Sequence, residues 1–344
     1  MHNVSIVRRC MTASRFVLFF AFGLILTPAC SHKSENAGPC PPSGKFGIYS
    51  MILDGSSVQL ICAGDNERNH VHVNPANGKL VYSEFTKDLN MDGKADESDI
   101  RSSEIGVMDA NGMNRTLLTN NESIDAAPVW SPDGGRILFV SDRDSPDVLD
   151  MYTMDESGGN LVNLTNTPFY SEADVHWVGD KIVFTRSSGP DFNPGVWIMD
   201  SDGANQRQLT DTSSMGISST GYAFGDYDPK MAPNGNRIAF ARHQNDTGNF
   251  GTGDFDIYVM NIDGTNLTDI SKNTVADLMP TWSPDGNNLA FWVISDNLTD
   301  LGDIYVISPD GTERTKVTQE PDTLIERQPD WLSNTKIILS GETY

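Results

Sequence analysis

Basic residues are scarce in this sequence: 24 lysines and arginines stand against 47 acids in 344 residues, a formal charge of −23. A field of that sign repels nucleic acid and anionic lipid headgroups, and leaves cations or basic partners as what it would attract. Long apolar runs are lacking too. The longest, FVLFFAFGLIL at residues 16–26, is 11 residues, too short for a spanning helix. No Gly-x-Ser-x-Gly occurs, which excludes the strained nucleophile turn of the α/β-hydrolases. Histidines number six, and only His70 and His72 are close together. Their spacing puts both on one face of a strand, but no second carboxylate or histidine cluster adjoins them. A buried or rim position suits them better than a metal. The Gly-rich NDTGNFGTGDFD at 245–256 lacks the Lys-Ser/Thr ending and following helix of a phosphate loop, and reads as a long hairpin insertion.

What is present begins with a leader. Arg8, Arg9 and Arg15 surround no acid, the apolar run follows, and TPAC ends it with Ala29 before Cys30. This is the layout of a secretory signal, residues 1–29. TPAC resembles a bacterial lipobox, which makes Cys30 the lipidated N-terminus of an envelope protein and its only link to the membrane. Thr27 stands where such motifs place leucine, and ordinary cleavage after Ala29 is the alternative. Ser31 after the cysteine points, by analogy, to the outer membrane. Without the leader 21 basic residues face 47 acids, a charge of −26. Residues 30–45 are polar and rich in Pro and Gly, and read as a flexible tether. Cys40 and Cys62 are then an even pair in an oxidising compartment. A bridge between them and two free thiols both stay open.

Two markers recur along the rest. An apolar residue opens a turn at Val73, Trp130, Trp177, Met231, Trp282 and Trp331, at spacings of 57, 47, 54, 51 and 49. A glycine follows an IYVM-like strand at Gly55, Gly112, Gly158, Gly203, Gly264 and Gly311, at spacings of 57, 46, 45, 61 and 47. Units of this length with four short strands, joined by Asp-Gly and Asn-Gly turns, indicate a β-propeller. The markers are offset: the first glycine has no partner before it, and Trp331 has none after it. The half-unit at 46–62 and the half-unit at 328–340 therefore complete one blade. That predicts an all-β, six-bladed propeller over residues 46–344, closed by its two chain ends, a monomer with no open sheet edge between its ends.

The repeat DAAPVWSPDGGRILFVSDRD, followed by DMYTM and NLVNLT, resembles the TolB family's propeller repeat. The resemblance covers residues 46–344 and implies a periplasmic, protein-binding propeller. TolB proteins also carry an N-terminal α/β domain, for which the tether leaves no room, so contacts made through that domain do not carry over. Prolyl oligopeptidases share such repeats, but their hydrolase domain is not implied here.

Two constellations could carry chemistry. DLNMDGKADESD, residues 88–99, sets oxygen donors at the spacing of a calcium loop: Asp88, Asn90, Asp92, the Lys94 carbonyl, Asp96 through water, and Asp99, with Gly93 at the sharp turn. A hard cation wanting six to eight oxygens suits it, and Mg²⁺, which keeps its waters, does not. It resembles EF-hand and dockerin loops and implies bound Ca²⁺, structural in role. Asp99 replaces the usual Glu, and a solvated acidic insertion is the bland reading. The loop should lie between the second and third strands of the first blade. The other constellation is a series five residues before each apolar marker: Asp125, Glu172, Asp226, Asp277 and Glu326, with Arg68 breaking it in the first repeat. If first strands line the tunnel, these acids ring its mouth, ready for a basic peptide or a cation. Turn-capping is the plainer role for such acids. The leading expectation is a non-catalytic envelope lipoprotein presenting a propeller face to an envelope protein or basic peptide. The alternative is a lyase or lactonase acting on polysaccharide or a small ester in the tunnel.

Overall fold

The structure, a computed structural model, describes residues 35–36, 40–41, 43–55, 57–91, 93, 95–188, 193–217, 223–245, 254–294, 302–318 and 324–343. The leader, Cys30, Asp92 and Lys94 lie outside them. Six antiparallel sheets follow one another around a ring. Blade one is Arg68–Val73, Leu80–Phe85, Ser103–Met108 and Thr116–Leu117, from inside to outside. Blades two to five repeat that order, with inner strands Asp125–Trp130, Tyr170–Val178, Gly225–Met231 and Ala276–Trp282. In blade six the inner pair is Leu324–Ser333 and Lys336–Thr343, and the outer pair is Phe46–Ile52 and Val58–Gly64. The fold is the six-bladed propeller that the offset markers predict.

Closure is by full strand pairing. Phe46 stands opposite Glu342 and Ile52 opposite Lys336, without a slip between. The Leu53 amide donates to the Thr335 carbonyl at 3.1 Å, and the Thr343 amide to the Lys45 carbonyl at 2.8 Å. Each inner strand touches the next, and the sixth touches the first. Alternating apolar residues of the blades fill the spaces between sheets: Trp130, Phe139 and Tyr152 pack with Val81 and Ile105 of the preceding blade.

Local chemistry accounts for both markers. Gly112, Gly158, Gly203 and Gly264 have φ from +79° to +90°, where only glycine is at ease. Each also lies against the previous blade: a Cβ on Gly112 would stand 2.4 Å from the Ile61 carbonyl oxygen, and one on Gly203 2.6 Å from that of Leu164. The apolar marker lies at or within two residues of the end of the inner strand. The Trp282 indole donates to the Lys230 carbonyl at 2.9 Å, and the Trp331 indole to that of Thr281 at 3.1 Å, stitching neighbouring blades.

The expected tether is partly held. Glu35–Asn36 pairs with Thr116–Leu117 as a fifth strand on blade one. Cys40 is bonded to Cys62, with Cα atoms 5.1 Å apart. Among the described residues no helix is long and apolar enough to cross a membrane.

Candidate functional site: the central tunnel

The acid series sits where the inner strands begin, but not as a ring on one ion. Asp125, Glu172, Asp226 and Asp277 are fully buried, and each faces its own arginine. Arg143 reaches Asp125 at 2.6 Å, and Arg186 reaches Glu172 at 2.8 Å. Arg242 grips Asp226 with two nitrogens at 2.6 and 2.8 Å, and Arg314 grips Asp277 at 2.8 and 3.0 Å. Each guanidinium also lies over aromatic rings of its own blade, such as Arg186 over Trp197 at 4.7 Å and Arg314 over Tyr305 at 4.8 Å. Fork geometry and a cation–π face make such a pair worth burying. Burial still holds the Glu172 carboxyl up at about 7 despite Arg186.

Arg68 does not break this pattern. It stands across the strand from Glu84, as Glu172 stands across from Arg186 and Asp226 from Arg242. The Arg68–Glu84 contact is 2.7 Å, with Arg115 joining at 2.9 Å. Blade one carries the same pair with its charges exchanged. In blade six Arg327 bonds Glu67 at 3.2 Å and Glu342 at 3.0 Å, and the Glu326 side chain lies outside the described residues.

The tunnel wall comes two residues further along. Every inner strand bulges there, with a register slip between Asn69 and His72, Ala126 and Val129, Ala173 and His176, Tyr227 and Lys230, Leu278 and Thr281, and Arg327 and Asp330. One residue of each bulge is left-handed: His70, Ala127, Asp174, Asp228, Met279 and Gln328, with φ of 50° to 53°. None is glycine, so each holds a backbone state that side chains disfavour. Repeated six times, the bulge turns these residues toward the axis.

There they latch blade to blade. The Gln328 side chain accepts the His70 amide at 2.7 Å, Asp174 accepts the Asp228 amide at 3.3 Å, and Asp228 accepts the Met279 amide. Two residues beyond, His72 Nδ1 accepts the Trp130 amide at 3.2 Å and His176 Nδ1 the Met231 amide at 3.0 Å. Asp330 accepts the Val73 amide at 3.2 Å and the Thr281 hydroxyl at 3.1 Å. The latches line an open cavity that His70, His72, Asp174, His176, Asp228 and Asp330 share.

Its electrostatics follow from burial. Asp174 and Asp228 are both raised, first by desolvation; for Asp228 the charge of Asp174 comes next, against the opposing pull of Lys230. With the Asp174 charge beside it, Asp228 resists ionisation further. Asp228 Oδ2 has no hydrogen-bond donor. His70 is pushed down to about 4 by burial and then by Lys230. His72 and His176 are lowered for the same first reason. Because Nδ1 accepts in both, a neutral ring carries its proton on Nε2. The rings of His72 and His176 meet edge-on at 6.1 Å. The cavity thus brings together two carboxyls held above their ordinary range and three imidazoles held below theirs, with the Lys230 side chain in the same lining. It lacks a serine or cysteine nucleophile among its lining residues.

The loop at 88–99 leaves the second strand of blade one and returns as the third. Asp88 accepts the Gly93 amide at 2.8 Å, and Gly93 has φ of +92°. Asp99 accepts the Leu89 and Asn90 amides at 2.8 and 3.0 Å. Asp96 caps a short 3₁₀ turn, Glu97–Ser102, by accepting the Ser98 amide. Among the described residues no group of three or more His, Cys, Asp or Glu is arranged to hold a metal ion, in this loop or in the tunnel. Two of the loop's six expected ligands, Asp92 and Lys94, lie outside those residues.

The residues that line the tunnel went unread in the sequence, apart from His70 and His72. Their only signal was position: two and four residues after the acid series.

A ring of six antiparallel blades around a central cavity defines the class, a six-bladed β-propeller. Residues 97–252 match the family model of the TolB beta propeller domain. An uncharacterised Agrobacterium fabrum protein is 28% identical over 73% of this chain and 81% of its own length. The Tol-Pal system protein TolB of Francisella tularensis subsp. mediasiatica is 27% identical over 63% of this chain, and the match spans 46% of that relative's length. Among solved structures, a putative TolB from Agrobacterium tumefaciens superposes with a TM-score of 0.64 at 15% identity, covering 87% of this chain and 98% of that one. An oligogalacturonate lyase in complex with manganese superposes with a TM-score of 0.50 at 15% identity, covering 87% and 78%. The domain is TolB-like, and at these identities the solved structures speak for the fold alone.

Proposed function

We propose that the chain is a cell-envelope lipoprotein whose propeller is a non-catalytic, protein-binding scaffold. One observation carries this most: the polar side chains of the tunnel are engaged in holding blade to blade. Gln328, Asp174, His72, His176 and Asp330 each accept a neighbouring blade's amide. Groups so committed stiffen a ring and are poorly placed to bind and release a substrate. The Tol-Pal name of the relatives fits a partner in the envelope, and the charge of the chain favours a basic one. Cys30 is the lipidated residue in this reading, so Cys30→Ala moves the protein from membranes to the soluble fraction. The loop at 88–99 binds Ca²⁺ as a brace on blade one. Added Ca²⁺ then raises the melting temperature and Asp92→Ala abolishes the rise, about 2.7 kcal/mol at a hundredfold excess over Kd.

A second reading rests on the three histidines and three aspartates around one cavity, together with the lyase likeness. One experiment separates the two. The mature propeller is used to capture partners from solubilised envelopes, and in parallel is offered oligogalacturonate with Mn²⁺. A single envelope protein recovered in equal molar amount, and lost on substituting one face but not the other, supports the scaffold. Unsaturated product formed with Mn²⁺, and abolished by His176→Ala, overturns it.

A further inference from the structure

The N-terminal segment is stitched to the propeller at one seam. Glu35–Asn36 adds a strand to the outer edge of blade one, which alone among the six sheets carries a fifth strand within the described residues. Cys40 is bonded to Cys62 on the outer strand of blade six. It packs against the apolar cluster of Ile48, Leu80, Tyr82 and Met108, which fills the gap between blades six and one. The segment also passes the outer turn of blade one, where a Cβ on Gly112 would stand 3.4 Å from the Cys40 sulfur. The chain therefore reaches the propeller at its rim and not at a mouth of the tunnel.

That rim carries exposed apolar side chains. Val58 and Leu60 are 49% and 40% exposed, Ile52 is 39% exposed, and Met113, in the outer turn of blade one, is 61% exposed. Val58 and Leu60, two apart on one strand, share a face. Single exposed apolar residues are ordinary on a soluble surface; several beside the point where a lipid-bearing segment arrives suggest a surface to be covered.

We propose that this rim, marked by Ile52, Val58, Leu60 and Met113, rests on the bilayer, so that the tunnel axis runs along the membrane and both propeller faces stay open. The occupant is the lipid surface because of the length and direction of the chain. Five residues separate Cys30 from Glu35, a reach of at most about 18 Å. A lipid on Cys30 thus brings the blade-one edge to the headgroups before any other part. The orientation rests on the lipoprotein reading for its anchor alone, so the test supplies the anchor chemically.

The mature chain, beginning at Cys30 and keeping the Cys40–Cys62 bond, is coupled through Cys30 to a maleimide lipid in phosphatidylcholine vesicles. A nitroxide is then placed at Met113→Cys or, across the ring on the outer turn of blade four, at Leu267→Cys. The expected result is a severalfold loss of access to a water-soluble relaxing agent at position 113 and none at 267. The pair Glu35→Pro and Asn36→Pro, which breaks the added strand, should shrink that difference while coupling stays complete. Equal access at the two positions, or greater protection at 267, overturns the proposal. A difference that survives the proline pair overturns the strap as its cause. Metabolic labelling of Cys30 with fatty acid in cells reports separately on the lipoprotein reading.

Discussion

The position five residues before each apolar marker and the residue two places after it make an instructive pair. The first position is regular in sequence, an acid in five of six blades, and in space the described acids are sealed against private arginines. The second reads His, Ala, Asp, Asp, Met, Gln, with no regularity of residue type. Yet its backbone is the same to within 3° of φ in all six blades, and it forms the cavity. Residue type is constrained where a charge must be buried in each blade. Where only the bulge is needed, side chains are free to differ, and the tunnel acquires its own chemistry.

That contrast can be broken by mutation. Asp226→Ala leaves Arg242 unpaired in a buried site and should cost about 3–5 kcal/mol in denaturant unfolding, as removal of one partner of a buried pair does. Asp228→Ala, two residues on, should cost clearly less, since its carboxylate is itself poorly satisfied. The reverse order would mean that the wall, and not the acid series, holds the blades. Removal of the staple by Cys62→Ala should cost about 3 kcal/mol by chain entropy, with closure of the ring intact. A free-thiol count of two in non-reduced protein would show that there was no staple to remove.

Titration sharpens the same comparison. Asp174 and Asp228 are raised in the fold, so their contribution is fully present below about pH 4 and is lost as pH rises through their folded values. The neutral histidines act in the opposite sense. With His70 at about 4 and His72 and His176 also lowered, their stabilisation is present above about pH 6.5 and is lost as pH falls. Asp228→Asn should flatten the loss on the alkaline side and leave the acid side unchanged. Melting temperatures from pH 4 to 8 check it; equal slopes for variant and parent would refute a raised Asp228 carboxyl. The smallest effect is the most diagnostic of the bulge. Ala127→Gly should stabilise by up to about 1 kcal/mol although glycine usually weakens a strand, because Ala127 has φ of 50°. A loss in the same unfolding assay would show that the left-handed turn carries no strain.

Much of the fold could be read in the sequence because its signals are local. The Asp-Gly turns, the tight-turn glycines and the offset of the two marker series required six blades and a closing seam at 46–62 and 328–340. The site was legible only in part. The arginine partner comes from the second strand in blades three and four, just beyond it in blade two, and from the link between third and fourth strands in blade five. No fixed spacing ties acid to base, and so the acids looked like a free ring. Arg68 breaks the series in sequence only, because Glu84 stands opposite it in the sheet. The tether, by composition a flexible linker, gained two fixed points from partners at Leu117 and Cys62.

The sequence by itself determined the blade count and the chain-end closure, since turn geometry and strand periodicity depend on residues a few places apart. Only the tertiary structure decided what the tunnel is. Its wall takes one bulge from each blade, from segments about 50 residues apart, and left-handed backbone at residues as unlike as Ala127 and Gln328 is imposed by strand register and by amides bonding across blades. Burial in that shared cavity, and not residue identity, then neutralises the histidines and raises the two aspartates.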